Sequence, residues 1–195
     1  MTDDPLRTLL ATGHVTPATR RALEQRLGPA SPWSDPGIFT ARQRETLTTV
    51  ALRLIPETDG IPRPDLAKAF EYRISSPRGK GWRYASLTHD ADAQRDLLDL
   101  IESESQATLG RPFGEIPGPE QEVLLHRIQS GAPGTSLDSA RAFEDMLAAL
   151  AECLATDPAV LISIGYVGFA DRPSWQRIGL GQRDDREIPA ATTDG

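Results

Sequence analysis

The sequence predicts an all-α fold: about seven helices in a single orthogonal or irregular bundle, with a partly extended C-terminal arm. Three observations carry this. Apolar residues recur three and four apart over most of the chain. Proline and glycine break that pattern at intervals suited to helix–helix connections. Helix-starting signals, clearest at Thr40 and Gln43, stand where the stripes begin.

Taken in order, a first short helix is expected over Pro5 to Ala11. Thr16 caps a second, with Pro17 at the first position, where a missing N–H costs nothing. It runs to about Leu27 and stops at Gly28-Pro29, and Ser31 to Gly37 reads as a linker with Trp33 as a plug on the body. The third helix opens with a capping box, Thr40 with Gln43. Leu47, Val50, Ala51, Leu54 and Ile55 share its inner face, and Pro56 ends it. Pro64 starts a fourth, with Leu66, Phe70 and Ile74 on one stripe. Residues 75–88 read as irregular.

A fifth helix is expected from about Asp90 to Leu109, burying Leu97, Leu98, Ile101 and Leu109, with Gly110 as its left-handed stop. A sixth runs from Pro119 to Gln129 with Val123, Leu124 and Ile128 inward, and the glycines from Gly131 to Gly134 break it. The seventh covers about Leu137 to Ala155 on a face of Ala140, Phe143, Leu147, Leu150 and Leu154. After Asp157-Pro158, the β-branched run Val160 to Ile164 suits either an extended strand or a buried helix. The domain expectation is therefore a helical extension and linker over 1–38, a helical domain with its arm over 39–180, and a flexible tail over 181–195.

Composition narrows the function. Among 195 residues, 38% are apolar and 25% charged, as in an ordinary globular domain. The net charge of −7 disfavours nucleic acid, which needs concentrated Lys and Arg to displace counterions. The one basic stretch, Pro77 to Arg83, is short and glycine-rich and reads as a solvated loop. A single cysteine, Cys153, allows no internal disulfide or cysteine metal cluster. Met1 to Pro5 carries acids where a signal peptide carries positive charge, and no twin arginine stands there, so the expected location is the cytoplasm. The longest uncharged run, Pro158 to Ala170, has 13 residues, whereas a membrane span needs about 20.

The catalytic inventory is thin. His14, His89 and His126 sit in separate elements with no second His or Cys at metal-ligand spacing. No nucleophile elbow or phosphate-binding glycine string is present. Glu102 and Glu104 cannot share a helix face, nor can Glu120 and Glu122, and all suit a solvated surface. A self-contained enzyme would act through His89 or His126, and a stand-alone helical scaffold or regulator is a further alternative.

Two segments look instead like surface for a partner. One is Gly110-Arg111-Pro112-Phe113-Gly114, leading to Pro119. The other is Pro158 to Ala170, closed by Trp175 to Gly179. Aromatic residues dominate interface cores and arginines suit the rim, so Phe113, Tyr166, Phe169 and Trp175, with Arg172 and Arg177 flanking them and the apolar Ile178 beside them, are the interface candidates.

Three motifs in order resemble one family. The first is Phe39 to Leu47 through Leu54-Ile55-Pro56. The second is Gly110-Arg111-Pro112-Phe113 with Pro119 to Leu125. The third is Asp157-Pro158 with Trp175-Gln176-Arg177-Ile178-Gly179. Together they are similar to gluconate 2-dehydrogenase subunit 3, the small subunit of bacterial FAD-dependent sugar and alcohol dehydrogenases. That resemblance covers about Phe39 to Leu180. It implies an accessory subunit that binds a large flavoprotein of the glucose-methanol-choline type and helps it fold, stay soluble or be exported. FAD and the catalytic residues would belong to that partner, with no cofactor in this chain. Two departures stand out: the twin-arginine signal of many members is missing, and Val160 to Phe169 replaces the usual glycine-glycine-asparagine pattern after the Asp-Pro step.

Overall fold

The computed structural model describes residues 10–11, 16–27, 37–75, 84–132, 134–164 and 180–181. Within them every regular element is helical, and the all-α expectation holds. The helices are α1 (Pro17–Leu27), α2 (Ala41–Leu54), α3 (Leu66–Ile74), α4 (Asp90–Leu109), α5 (Gly118–Gln129), α6 (Ser139–Ala155) and α7 (Pro158–Ser163), with a 3-10 turn at Phe113–Glu115 between α4 and α5. Of the expected first helix only Leu10 and Ala11 are described; both are helical and Leu10 is buried.

Local chemistry sets most boundaries. Thr40 and Gln43 form the expected reciprocal box: Gln43 N–H donates to Thr40 Oγ1 at 3.2 Å and Thr40 N–H to Gln43 Oε1 at 2.9 Å. Ile55 leaves the helical region at φ −126 and ψ 86, as a residue before proline is pushed to do. Gly110, at φ 67 and ψ 17, ends α4 in the left-handed region that a side chain would strain. Pro64 does not open α3; Asp65 caps it instead, accepting from Lys68 N–H, because a side-chain oxygen satisfies an otherwise open donor and proline has none. Asp157 does the same for α7, its Oδ1 accepting from Ala159 and Val160 N–H. The Val160–Ile164 alternative therefore resolves as helix over Pro158–Ser163.

Helices α2 to α6 enclose one core. Helix α6 packs on α3, α4 and α5, while α2 packs on α3, α4 and the 3-10 turn. Phe70, Phe113, Phe143, Leu47, Leu97, Leu98, Ile101 and Met146 fill the centre. Phe39 stacks on Phe70 with ring centroids 6.4 Å apart, plugging the end where the chain enters α2. Cys153 is half-buried against this core.

Three expected faces shift. Val123 is 70% exposed, and Leu125 points inward in its place beside Leu124 and Ile128. Leu109 is exposed on the last turn of α4 rather than buried. On α6 Phe143 and Leu150 are buried as expected, but Ser139, Ala142, Met146 and Ala149 complete the buried stripe, while Ala140, Leu147 and Leu154 are half-buried at its edge. Because α6 faces three helices at once, its buried stripe is broad and two overlapping stripes both look apolar.

The start of α6 is fastened from outside. Asp138 caps the helix through Arg141 N–H, and Ser86 Oγ–H donates to its Oδ2 at 2.7 Å. The Arg141 guanidinium lies 4.7 Å over the Tyr84 ring. The Ser86 hydrogen bond, then the Arg141 amide, hold the Asp138 carboxyl below its usual range. A depressed carboxyl contributes stability above its unfolded pKa, lost as pH falls through the folded value. Protection factors of the amides at 84–89 and 139–142, which correct for the intrinsic pH dependence of exchange, should therefore fall on acidification below the normal carboxylate range. Asp138→Asn should flatten that dependence.

Candidate functional site

The loop joining α4 to α5, residues 110–117, is the most heavily organised irregular segment among the described residues. Phe113 inserts into the core and is 0% exposed, with Ile116 buried behind it. Polar side chains bind the backbone around them. Ser105 Oγ–H donates to Arg111 C=O at 2.7 Å. Phe113 N–H donates to Glu102 Oε2 at 3.3 Å, and Phe113 C=O accepts from Gln121 Nε2 at 2.9 Å. Ser105 and Gln121 are buried, and an unmade bond at either would leave a desolvated polar group.

Behind these contacts stands a further layer. Glu102 also receives Arg42 and Thr46 from α2, and the Arg42 guanidinium is held further protonated mainly by its hydrogen bond to Glu102. Arg53 Nε–H donates to Gln121 Oε1 at 2.7 Å. The Arg53 guanidinium lies over Gly118 so closely that an added Cβ would fall 2.7 Å from Nη1. Helix α2, the loop and the first turn of α5 are thus tied into one unit.

Phe113 is corrected by this placement. A side chain with no exposed surface holds the loop from inside and does not itself meet a partner. Glu102 is corrected as well: its side chain is largely enclosed and satisfies three groups. Glu104 pairs with Arg127 across α4 and α5 at 2.9 Å. Helical spacing carried the missed signal. Glu102 lies four residues after Leu98, Ser105 four after Ile101, and Gln121 three before Leu124, each in line with the buried stripe.

The remaining interface candidates, Tyr166, Phe169, Arg172, Trp175, Arg177 and Ile178, lie outside the described residues, as do Trp33 and the basic stretch Pro77 to Arg83. His89 and His126 are both exposed. His89 opens α4, whereas His126 stands beside Arg127, whose partner Glu104 is roughly 20 Å further along α4 at the helical rise. The two imidazoles do not form one site. Among the described residues no three His, Cys, Asp or Glu side chains are grouped to hold a metal ion. No helix of the described residues is long and apolar enough to cross a membrane.

Residues 41–171, which include α2 through α7 and the bolted loop, match the family model for gluconate 2-dehydrogenase subunit 3. Neither the curated proteins nor the solved structures yield a match. The family model takes in the Thr40-capped helix from its first residue, the Gly110–Leu125 motif and the Asp157-Pro158 step, in the same order along one helical domain. The chain belongs to the gluconate 2-dehydrogenase subunit 3 family.

Proposed function

We propose that this chain is a non-catalytic small subunit that binds and stabilises the large FAD-dependent subunit of a sugar, glycoside or alcohol dehydrogenase. The observation that carries this reading is the family match over residues 41–171, whose description is that of a dehydrogenase subunit. The internal chemistry supports it. The buried polar side chains Gln43, Glu71, Ser105, Gln121 and Ser139 each hydrogen-bond within the fold, to a helix end, a loop or a neighbouring helix. They are engaged in holding the scaffold, not held apart for a reacting group.

In this reading the flavin and the reacting groups belong to a partner of the glucose-methanol-choline type. This chain contributes surface, with Tyr166, Phe169, Arg172, Trp175, Arg177 and Ile178 as contacts of the C-terminal arm. Trp175 is the expected anchor. Trp175→Ala should weaken binding to the proposed large FAD-dependent subunit by roughly 2 kcal/mol or more, measured by calorimetric titration. The melting temperature of the isolated chain should stay unchanged. A variant that unfolds alone would assign Trp175 to this domain's own core, and a flavoprotein that does not bind the unaltered chain would end the reading.

A further inference from the structure

We infer that the outer side of α6 is a docking face for the chain's own residues 76–83, the basic segment between α3 and α4. The face is one line along the helix. Arg141, Asp145, Ala148 and Glu152 follow one another at spacings of four, three and four, with Glu144 and Ala151 beside them. All are exposed except Asp145, which is half-buried. The buried residues of α6, which meet the neighbouring helices, lie on the opposite side.

Both ends of the segment are tethered to that line. Ser75 closes α3, and just before it Arg73 pairs with Glu152. Beyond the segment, Tyr84 lies under the Arg141 guanidinium, 4.7 Å from it, and Ser86 donates to Asp138 at the start of α6. Arg141 and Glu152 stand about 16 Å apart along α6 at the helical rise. The chain from Ser75 to Tyr84 reaches about 30 Å when extended. The segment therefore begins and ends on this line, with length enough to follow the helix surface between.

Charge selects the path between the ends. Residues 76–83 contain Arg78, Lys80 and Arg83 and no acid, in a chain of net charge −7. The face contains Glu144, Asp145 and Glu152, and its own cation, Arg141, is paired with Glu144 at 2.8 Å. Exposed ion pairs are individually weak, but a segment held at both ends stays at high local concentration beside its partners. Ala148 and Ala151 project only a methyl group between the acids, so a backbone can approach closely there. This docking does not depend on the flavoprotein. It occupies the outer side of α6, so a partner subunit meets the chain elsewhere.

Carbodiimide coupling of the full chain tests this, because the reagent joins an amine to a carboxylate without a spacer and so only where the two are in contact. Lys68 and Lys80 are the two lysines of the chain. Lys80 should couple to Glu144, Asp145 or Glu152 within a single chain, read by peptide mass spectrometry of the monomer. Ala148→Arg places a cation in the middle of the face, at an exposed helical position that tolerates arginine. It should reduce that coupling and speed tryptic cleavage after Lys80 about fivefold, as loss of weak exposed pairing does, with the melting temperature unchanged. Lys80 that stays uncoupled in the unaltered chain, or couples only outside α6, would overturn the docking, whatever the stability of the variant. Coupling found only between two chains would overturn it too and give the face to a second copy. A folded Ala148→Arg chain cleaved at the original rate would also contradict it.

Discussion

Phe113→Ala should destabilise the isolated chain by about 3–5 kcal/mol, the usual cost of emptying a buried phenylalanine site. The ring is fully enclosed, and it is the one large side chain by which the 3-10 turn enters the core. Removing it leaves a cavity beside α2 and α4, the two helices the turn packs against. The backbone bonds to Glu102 and Gln121 remain available, so the turn cannot simply swing away and the cavity relaxes little. Urea unfolding should show a lower midpoint with the same slope. Phe113→Leu, which keeps most of the volume, should cost about 1 kcal/mol. A surface phenylalanine would behave differently: its alanine variant would unfold at the original midpoint and lose only binding.

Arg44→Ala should cost about 3 kcal/mol, at the lower end of the range for breaking a buried ion pair. Arg44 donates through Nε and Nη2 to Glu71 at 2.8 and 3.0 Å, and Glu71 also accepts from Phe39 N–H at 3.0 Å. The glutamate is buried while the arginine is about a third exposed, so removing the arginine strands the worse-solvated partner. Adding Glu71→Gln should recover part of the loss, since an amide oxygen still accepts from Phe39 N–H without a buried charge. The double variant measured by thermal unfolding checks this. No recovery would mean that the pair's charge is not what the variant uncovers.

Helix ends were legible because they depend on neighbouring residues. Thr40 with Gln43, Gly110 and Pro56 each act within one turn of their own position. The Asp157-Pro158 step carried the same kind of signal for α7, a capping acid followed by proline, yet the β-branched residues after it also suit a strand. Helix faces were less legible. On α5 the inner line begins at Gln121, a polar residue, so the phase seemed to start at Val123. The site was hardest. Glu102 reads as one acid among several, and its role depends on Arg42 and Thr46, brought to it from another helix by packing. Sequence reasoning located the Gly110–Pro119 segment but assigned its aromatic residue to the wrong side, because periodicity does not say which way a side chain points outside a helix.

The central claim is that this chain holds a catalytic flavoprotein in its working state. The most direct measurement is the yield of soluble, flavin-loaded, active dehydrogenase when the proposed large FAD-dependent subunit is expressed with and without this chain. The account predicts that holoenzyme yield falls sharply without it and returns on co-expression, while the purified chain alone turns over no substrate. A large subunit equally soluble, flavin-loaded and active by itself would contradict the account.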